Sequence, residues 1–567
     1  MLIGNLGLIL TAIRADGRIQ QANIPNKLPN TVELVAQLPS TGMAVRLSVQ
    51  FSDSFPVVKP IVNLLERQPS HLEHVNHDGE VCVVEDAGLS SNLNDPLHIA
   101  CWWLDRTLTV LDSSYTQALN SNFISLLNEF AGYWTPIGKH DVQLLVEPFG
   151  NQRIVTGYVH KGLLRAVDVA GSKISKTHPL RSVLAQHEKV SVAYLPLVKA
   201  VLPPDRGCSV GPSFLRKAID AQPNLVREKI LGMLRSVSKA NPDRHYLLSQ
   251  RAPDSMLNTV GMSIQVKRGH PDPVFGDPTV KKVIPWNVTH HYRSYQVPRG
   301  GALPDLTKKT VAIVGCGSLG GTLARILAQS GVGNLHLIDN DVYSADNVYR
   351  HVLPPNCIGL PKSEALKKEL LAQFDGVNIT SSQERLDRVE DNVFAMAPDV
   401  VCLATGSPDV ERDLIRRRLS IGTTPPLISG WIEPLSLGGH VMISDHGRHG
   451  CLECNFSDLS SGCGSMVSFL FPGQHIQRSL MGCAGSFTPY SAADAMQTAA
   501  VMARTVQEKL LEADTPFYRF WRGSTHLANA ADIKTSHWYK RCSNVDSESA
   551  SAAVKNSCCQ VCGSWKC

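Results

Sequence analysis

A glycine-rich turn between a β-branched run and an apolar helix constrains the fold of this chain more than any other feature. Residues 311–314 form the β-branched run, residues 315–320 read GCGSLG, and residues 322–330 carry apolar side chains at helical spacing. A strand, a tight turn and a helix in this order are typical of α/β sheets with parallel strands. Because strand-like runs recur at residues 335–338 and 400–403, the sequence predicts a doubly wound sheet in the C-terminal half.

The same turn predicts a phosphate-binding site. Gly315, Gly317 and Gly320 let backbone N–H groups at the start of a helix approach a phosphate. Asp339 follows the second strand, where a carboxylate can accept a ribose hydroxyl. A nicotinamide-dependent dehydrogenase would share these features. The turn by itself therefore indicates a nucleotide and leaves open which one.

Polar and cationic residues after the second strand favour adenylyl transfer over hydride transfer. Asp341, Asn347, Arg350 and Lys362 follow Asp339 closely in sequence. Negative charge builds on the phosphates during adenylyl transfer, and nearby cations stabilise it. Hydride transfer needs no such pair of cations. We therefore assign these residues to an ATP site.

This pattern resembles the ThiF/MoeB family, whose adenylating, Rossmann-like fold is shared with ubiquitin-activating enzymes. The resemblance covers about residues 300–567. It implies that Asp339 holds the ribose of ATP and that Asn347, Arg350 and Lys362 contact the triphosphate. It also implies Mg²⁺ beside the phosphates and a homodimer.

Two departures from the family pattern concern the metal and the partner subunit. The family places a magnesium-binding Asp directly after a later strand, whereas here Asp409 comes three residues late. The family also draws an arginine from the N-terminal helix of the partner subunit, for which Arg293 is the candidate. The residue that replaces the magnesium ligand is left open.

Two C-x-x-C pairs predict a structural metal site. The pairs consist of Cys451, Cys454, Cys559 and Cys562. Each pair can supply two thiolates to one tetrahedral Zn²⁺, and the ThiF/MoeB family binds structural zinc at these positions. Four thiolates leave no open coordination position, which argues against a catalytic metal. Cys558 and Cys567 flank the second pair and leave alternative ligands open.

A further cysteine is expected to act as a nucleophile in the C-terminal region. Cys483 precedes a small-residue helix at residues 492–511, and a thiol at a helix entry can have a lowered pKa. In the sulfur-carrier-activating branch of the ThiF/MoeB family, a reactive cysteine precedes a similar helix. Cys463, in a glycine-rich loop, is the competing candidate. A buried cysteine without a catalytic role is the alternative for Cys483.

The first 145 residues contain a second thiol motif. A proline-bearing strand is expected at residues 55–60, and a loop with an Asp-Gly turn leads to Cys82. This resembles the ubiquitin-conjugating fold, an α+β domain, and implies that Cys82 forms a thioester. His74 takes the place of the family's oxyanion-supporting Asn and could donate a hydrogen bond or accept a proton. A buried strand cysteine and a loop histidine that bonds the backbone are the alternatives.

The chain thus divides into three regions. Residues 1–145 form the conjugating-like domain, residues 146–295 an adaptor without a chemical motif, and residues 296–567 the adenylating domain with a zinc-binding tail. A flexible loop is expected at residues 547–553 because that segment is rich in Ser and Ala.

Such a fusion resembles the conjugation component of bacterial antiphage CBASS operons. The resemblance implies ATP-dependent activation of a protein C-terminus, a thioester on Cys483, transfer to Cys82 and conjugation to an amine on an unidentified target. The implied protein substrate is a CBASS nucleotide cyclase. A sulfur-carrier-activating adenylyltransferase and a nucleotide-sensing adaptor without turnover are the alternatives.

Composition excludes several other classes of protein. With 43% hydrophobic and 19% charged residues, the chain can form ordered cores. A net charge of +5 gives no reason to expect nucleic-acid binding, and no run of residues is long and apolar enough to span a bilayer. The 15 cysteines in 567 residues do not suggest a disulfide framework. We therefore expect a cytoplasmic enzyme that binds neither nucleic acid nor membrane.

Overall fold

The chain folds into two compact units, which meet in sequence at Tyr292. The computed structural model describes residues 2–83, 93–169, 184–237, 241–254, 256–276, 280–422, 424–446, 448, 450–456, 464–474, 476–479 and 486–563. No helix in these ranges is both long and apolar enough to cross a membrane.

The first unit begins with a four-stranded antiparallel sheet in the order β1-β2-β3-β4. Its elements are α1 (Leu2–Ala15), β1 (Ile19–Asn23), β2 (Thr31–Gln37), β3 (Ala44–Gln50), β4 (Ile61–Leu64), α2 (Pro96–Leu119), α3 (Ile124–Asn128) and α4 (Phe130–Trp134). Alternate residues of β2 and β3 are buried against α1 and α2, as expected for a sheet with one covered face. The prediction of a strand at residues 55–60 is wrong. Turns and extended chain occupy these residues because Pro56 and Pro60 cannot donate to a ladder, and β4 starts directly afterwards.

The middle of the chain is a closed seven-stranded barrel in the order β10-β11-β5-β7-β6-β8-β9. Its elements are β5 (Asp141–Leu144), β6 (Arg153–His160), β7 (Leu163–Asp168), β8 (Glu188–Leu197), α5 (Pro212–Asp220), α6 (Asn224–Ser236), β9 (Asp243–Arg251), β10 (Leu257–Gln265) and β11 (Lys282–His290). Closure removes the sheet edges. The first barrel strand lies within the range proposed for the conjugating-like domain, so the division at residue 145 stays a proposal.

The second unit is built on a seven-stranded sheet in the order β14-β13-β12-β15-β16-β17-β20. Its strands are β12 (Thr310–Val314), β13 (Asn334–Ile338), β14 (Asn378–Ser382), β15 (Val400–Leu403), β16 (Leu427–Glu433), β17 (Gly438–Ser444) and β20 (Tyr518–Arg522), and β18 (Arg478–Ser479) pairs separately with β19 (Ser486–Phe487). The five strands from β14 to β16 are parallel, and the last two are antiparallel. This order confirms the predicted doubly wound α/β fold.

Helices flank this sheet, and one of them corrects a prediction. They are α7 (Arg293–Arg299), α8 (Ser318–Gln329), α9 (Lys362–Gln373), α10 (Leu386–Ala395), α11 (Pro408–Ile421), α12 (Ala492–Leu510), α13 (His526–Ala530), α14 (His537–Arg541) and α15 (Ser547–Val554). The flexible loop expected at residues 547–553 is wrong, because that segment is α15. Asp546 caps the helix by accepting from the N–H of Ser549, and Ala550 and Val554 are buried in the core beside β20.

Candidate functional site

A cleft of about 600 Å³ lies at the carboxyl ends of the parallel strands, where doubly wound sheets bind ligands. The glycine turn forms one wall. Gly315 has a φ of +88°, and a side chain there would overlap the carbonyl of Ala404. A side chain at Gly320 would overlap the carbonyl of Gly315, whereas Gly317 faces open space. Gly320 therefore permits the close helix–strand approach, and Gly317 leaves room for a ligand.

Most of the predicted nucleotide-site residues share this cleft. The predicted residues that line it are Gly315, Gly317, Asp339, Asp341, Asn347, Arg350 and Lys362. Gly320 is not part of the lining and acts through the shape of the turn. Residues from four separate segments of sequence are thus brought to one cavity.

Lys362 is the buried cation of the cleft. It is the first residue of α9, and only 11% of its side chain is exposed. Its Nζ donates to Oδ2 of Asp341 at 2.8 Å, and its backbone N–H donates to the carbonyl of the same residue at 2.9 Å. Removing an ammonium group from water is costly unless an anion pairs with it. Asp341 supplies that anion and aims the cation at the cleft.

Asp339 is oriented by the backbone of the glycine turn. Its Oδ2 accepts from the N–H of Cys316 at 2.6 Å, and its Oδ1 accepts from the N–H of Asp341 at 2.7 Å. Burial raises the pKa of Asp339, and these backbone hydrogen bonds oppose that shift. Each carboxylate oxygen keeps a further lone pair that can accept a hydroxyl.

Arg350 lies over an aromatic ring that the sequence did not identify. Its guanidinium carbon is 5.3 Å from the ring centre of Tyr490, and the hydroxyl of Tyr490 is 2.7 Å from Oγ of Ser318. All three residues line the cleft. The ring therefore supports Arg350 through a cation–π contact and ties it to the start of α8. No local pattern marks Tyr490, which lies 172 residues from its hydrogen-bond partner.

His351 fixes the carbonyl side of the glycine turn. Its Nδ1 accepts from the N–H of Leu353 at 3.1 Å, so in the neutral ring Nε2 carries the proton and donates to the carbonyl of Cys316 at 2.7 Å. Burial lowers the pKa of His351, and the positive charges of Lys362 and Arg350 lower it further. The sequence analysis assigned no role to His351.

The chemistry of the cleft fits Mg²⁺, although not through Asp409. The side chain of Asp409 is 93% exposed and pairs with Arg412. Glu411 instead lies buried in the cleft wall, where its Oε1 accepts from the N–H of Thr405 at 3.0 Å and from its hydroxyl at 2.7 Å. Burial raises the pKa of Glu411. Mg²⁺ binds through carboxylate oxygens and phosphates, and Asp341 and Glu411 are two of the carboxylates that line the cleft.

Arg293 is engaged within its own unit. Its guanidinium donates to the carbonyls of Gly331 at 2.7 Å and Val332 at 3.0 Å, just beyond the end of α8. These bonds pair two backbone carbonyls of the segment that follows the helix. The contact argues against a role for Arg293 in the cleft of a partner subunit.

The four cysteines of the C-x-x-C pairs converge. The Sγ atoms of Cys451, Cys454, Cys559 and Cys562 all lie within 4.8 Å of one another. The sulfurs of Cys451 and Cys559 are 3.7 Å apart, and those of Cys454 and Cys562 are 3.4 Å apart, close to the roughly 3.8 Å edge of a tetrahedron with Zn–S bonds of about 2.3 Å. The donor set and spacing fit a structural Zn²⁺ that links the loop after β17 to the C-terminal tail. The two other cysteines predicted for the C-terminal region, Cys483 and Cys463, lie outside the described residues, as does Cys567.

Cys82 is exposed, unlike its neighbours in sequence. Val81 and Val83 are buried in the core of the first domain, while the side chain between them faces outward. The N–H of Cys82 donates to the carbonyl of His74 at 2.8 Å, which closes the loop. The alternative of a buried strand cysteine is therefore wrong. An acyl chain could reach this thiol.

The backbone of His74 is held by a tyrosine that the sequence analysis did not identify. His74 has a φ of +57°, and its N–H donates to the hydroxyl of Tyr133 at 2.7 Å. Burial raises the pKa of Tyr133, so the phenol stays neutral. The backbone N–H of Cys82 donates to the carbonyl of His74, and the N–H of His74 donates to Tyr133, so His74 connects the backbone of Cys82 to a buried phenol.

Comparisons with known families agree with these two sites. Residues 292–529 match the model of the ThiF family, and residues 18–142 match that of the Prokaryotic E2 family B. The chain carries a ThiF domain and a prokaryotic E2 domain. The cleft lies in the ThiF domain, and Cys82 lies in the E2 domain, which confirms both resemblances inferred from sequence.

Several relatives match over different shares of their length. The ATP-dependent ubiquitin transferase-like protein Cap2 of Vibrio cholerae serotype O1 is 31% identical over 267 residues, or 45% of this chain and 44% of the relative. The protein of the same name from Pseudomonas aeruginosa is 24% identical over 498 residues, or 81% and 84%. The chain thus spans less than half of the Vibrio relative. The structure of E. coli MccB with ATP matches at 20% identity and a TM-score of 0.32, over 46% of this chain and 68% of that one.

Proposed function

We propose that this protein activates the C-terminal carboxylate of another protein with ATP and joins it to an amine through two successive thioesters. The observation that carries the proposal is the pair of cations at the glycine turn. Lys362 is buried and paired with Asp341, and Arg350 lines the same cleft. Cations held in this way stabilise the charge that develops when pyrophosphate leaves.

The first step takes place in the cleft of the ThiF domain. The substrate carboxylate attacks the α-phosphate of ATP, which forms an acyl-adenylate and releases pyrophosphate. Asp339 holds a ribose hydroxyl, while Asn347, Arg350 and Lys362 contact the triphosphate. Bound Mg²⁺ would neutralise phosphate charge, with Asp341 and Glu411 as its protein ligands.

The next steps move the acyl group between thiols. The thiolate of Cys483 attacks the acyl-adenylate, which releases AMP and forms a thioester. Cys82 then takes the acyl group by thioester exchange, and Cys483 leaves as a thiolate. An amine of the target attacks the Cys82 thioester and loses its proton, the C–S bond breaks, and Cys82 leaves as a thiolate while the amide forms. His74 is the candidate to stabilise the oxyanion or accept that proton.

The resemblance to CBASS conjugation components also indicates the partners of this enzyme. The activated protein is a CBASS nucleotide cyclase, the target supplies an amine, and the enzyme works as a homodimer with a structural zinc in each subunit. The Cap2 matches, which are named ATP-dependent ubiquitin transferase-like proteins, support the transfer chemistry, whereas the choice of a cyclase rests on the resemblance to CBASS conjugation components. The zinc rests on the cluster of four cysteine sulfurs.

Exchange of radioactive pyrophosphate into ATP tests the proposal. With the product of the neighbouring gene as substrate, the wild-type protein should catalyse exchange, and Lys362→Ala should reduce it by at least about a hundredfold, because a buried charge contact to phosphate is lost. The matched control is Lys368→Ala, an exposed lysine of the same helix, which should retain full exchange. Equal loss in both variants, or no loss in either, would contradict the role of Lys362.

An adaptor that senses a nucleotide without turnover is the second candidate. Asp409 favours it, because this expected metal ligand is exposed, pairs with Arg412 and is not part of the cleft lining. ATP binding without pyrophosphate exchange would support that reading. A sulfur-carrier-activating enzyme would instead yield a protein thiocarboxylate, which mass spectrometry detects, and it has no use for the exposed thiol of Cys82.

A further inference from the structure

The middle barrel supplies none of the residues assigned to the reaction above, yet it shares one compact unit with the E2 domain. Residues 198–207, here called the proline arm, follow β8 and precede α5. Bends, extended chain and a turn make up the arm, and Pro203 and Pro204 stiffen it by fixing φ. The arm contacts the loop that leads to the reactive thiol, residues 65–82, here called the Cys82 loop.

Two buried glutamines fix the base of the proline arm to the barrel. Oε1 of Gln222 accepts from the N–H groups of Val198 and Lys199, both at 2.9 Å. Gln250, in β9, accepts from the N–H of Val201 at 3.0 Å and donates to the carbonyl of the same residue at 3.0 Å. Because these amides pair the backbone groups of an irregular segment, the arm is a rigid extension of the barrel.

Arg206, near the tip of the arm, binds the E2 domain. Arg206 is buried, and its Nη2 donates to the carbonyls of Glu66 at 2.7 Å and Pro69 at 3.1 Å. Its backbone N–H donates to the carbonyl of Ser70 at 3.2 Å. Hydrogen bonds from a charged donor are stronger than those between neutral groups. The arm therefore holds the first residues of the Cys82 loop by their backbone.

The Cys82 loop returns a hydrogen bond to the arm. The carbonyl of Pro203 can only accept, so Nε2 of His71, 2.8 Å away, carries the proton and donates to it. Oγ of Ser70 lies 3.2 Å from Nδ1 of the same ring and donates to it in this neutral tautomer. The cavity left between the loop and the arm measures only about 10 Å³. In packing this tight, neither segment shifts without the other.

The barrel also fixes the side chain that supports His74. Trp134 of α4 is buried in the barrel core, and its Nε1 donates to the carbonyl of Trp286 in β11 at 3.2 Å. The adjacent Tyr133 accepts from the N–H of His74. His74 therefore lies between a phenol whose helix is anchored in the barrel and Cys82, whose N–H donates to its carbonyl.

We propose that the middle barrel positions the Cys82 loop for acyl transfer and that Arg206 is the positioning residue of this contact. The inference rests on the proposed function, because it concerns the thioester on Cys82. Arg206 acts through the backbone at the start of the loop rather than on the reacting atoms. It should therefore govern how fast a bound amine reacts with the thioester, and not how tightly the amine binds.

Discharge of the Cys82 thioester in the full-length protein tests this role. The thioester is formed with ATP and the neighbouring-gene product, and its loss to free lysine is followed in a single turnover over a range of lysine concentrations. Arg206→Met removes both guanidinium bonds and keeps an apolar chain of similar length, whereas Arg206→Lys restores one charged donor. The control is Arg216→Met, the same change at an exposed position of α5. Pyrophosphate exchange is measured for each variant.

The proposal predicts a loss of maximal rate alone. Arg206→Met should lower the maximal discharge rate about tenfold, which corresponds to the loss of two hydrogen bonds, and leave the half-saturating lysine concentration unchanged. Arg206→Lys should recover part of the rate. Arg206→Met combined with Tyr133→Phe should slow discharge by less than the product of the two single effects, because both act on the position of His74. Pyrophosphate exchange should be unchanged throughout, and Arg216→Met should match wild type.

A wild-type discharge rate in Arg206→Met would overturn the role of Arg206, as would an equal loss in Arg216→Met. A raised half-saturating lysine concentration at an unchanged maximal rate would assign Arg206 to acceptor binding instead. Effects that multiply in the double variant would refute positioning through His74. If Arg206→Met does not fold, Arg206→Lys decides: a slowed maximal rate supports the role, and a wild-type rate overturns it.

The proposed function fails in a different way. Wild-type protein that forms no thioester on Cys82 would refute the two-thiol pathway and this inference with it. Wild-type protein that forms and discharges the thioester, with Arg206→Met at the same rate, would refute the inference alone.

Discussion

The nucleotide cleft and the Cys82 loop differ in how far their reactive groups are exposed to water. In the cleft, the reactive environment depends on buried charge: Lys362 is shielded from water and held by Asp341, and Arg350 rests on Tyr490 from a distant segment. In the loop, the thiol of Cys82 is exposed and its nearest support is the backbone of His74, eight positions earlier. In the proposed reaction, the cleft binds and polarises a ligand, whereas the loop presents a nucleophile.

This difference explains how each site is built. A buried cation needs an anion, a supporting ring and several aligned backbone groups, because each missing partner is costly. An exposed thiol needs only a turn that places it and a path for its acyl group. The cleft should therefore be sensitive to distant changes that leave the loop intact, and the loop should respond mainly to its few direct contacts.

Removal of the zinc cross-link should have the largest effect. It should destabilise the ThiF unit, which contains the cleft, and leave the stability of the first unit unchanged. Cys559→Ser should lose the metal and lower the melting temperature of the ThiF unit by roughly 10 °C, since 1 kcal/mol corresponds to about 2–4 °C in a domain of this size. Metal analysis and calorimetry measure both quantities. Cys542→Ser, a buried cysteine outside the cluster, should keep its zinc. A shifted first-unit transition in Cys559→Ser would contradict the separation of the two sites.

Removal of the Tyr133 hydroxyl should have a smaller effect, confined to the Cys82 loop. Tyr133→Phe leaves the N–H of His74 without its 2.7 Å partner and should slow discharge of the Cys82 thioester to a lysine acceptor about threefold to tenfold. Single-turnover gels with and without reducing agent measure the discharge rate. Pyrophosphate exchange should be unchanged. A variant that discharges at the wild-type rate would show that the phenol does not support the loop.

The smallest expected effect is a change in the pH dependence of stability, caused by His351 at the glycine turn. Burial lowers the pKa of His351 below its ordinary value of 6.5, so below pH 6.5 the unfolded chain binds a proton that the folded chain refuses, and stability is lost as pH falls towards the folded pKa. His351→Gln has no such proton. The melting-temperature advantage of wild type over His351→Gln should therefore shrink as pH falls from 6.5 to 5.5. A constant or growing advantage would contradict the lowered pKa.

Sequence predicted the parts of each site that local order determines. The glycine turn, Asp339, Arg350 and Lys362 lie within about fifty residues, on elements whose order already implies a shared sheet edge. The four-cysteine site was predicted from the spacing within its two C-x-x-C pairs. Cys82 was identified from a shorter motif, and the family match to residues 18–142 supports that reading.

The missed features depend on tertiary contacts. Tyr490 and Tyr133 reach their sites from distant segments and belong to no spaced motif. The helix α15 was predicted as a loop because Ser lowers helix propensity, while burial of Ala550 and Val554 stabilises it in the fold. The cap at Asp546 was the one local signal available.

The central claim is that an acyl group passes from an adenylate through two thiols to an amine, and intact-mass spectrometry of two variants tests it directly. With ATP, the substrate protein and an amine target, Cys82→Ala should carry an adduct that dithiothreitol releases and should form no amide product. Cys483→Ala should retain pyrophosphate exchange and carry no such adduct. Amide product from Cys82→Ala would contradict the account, because the E2 domain would then take no part in transfer.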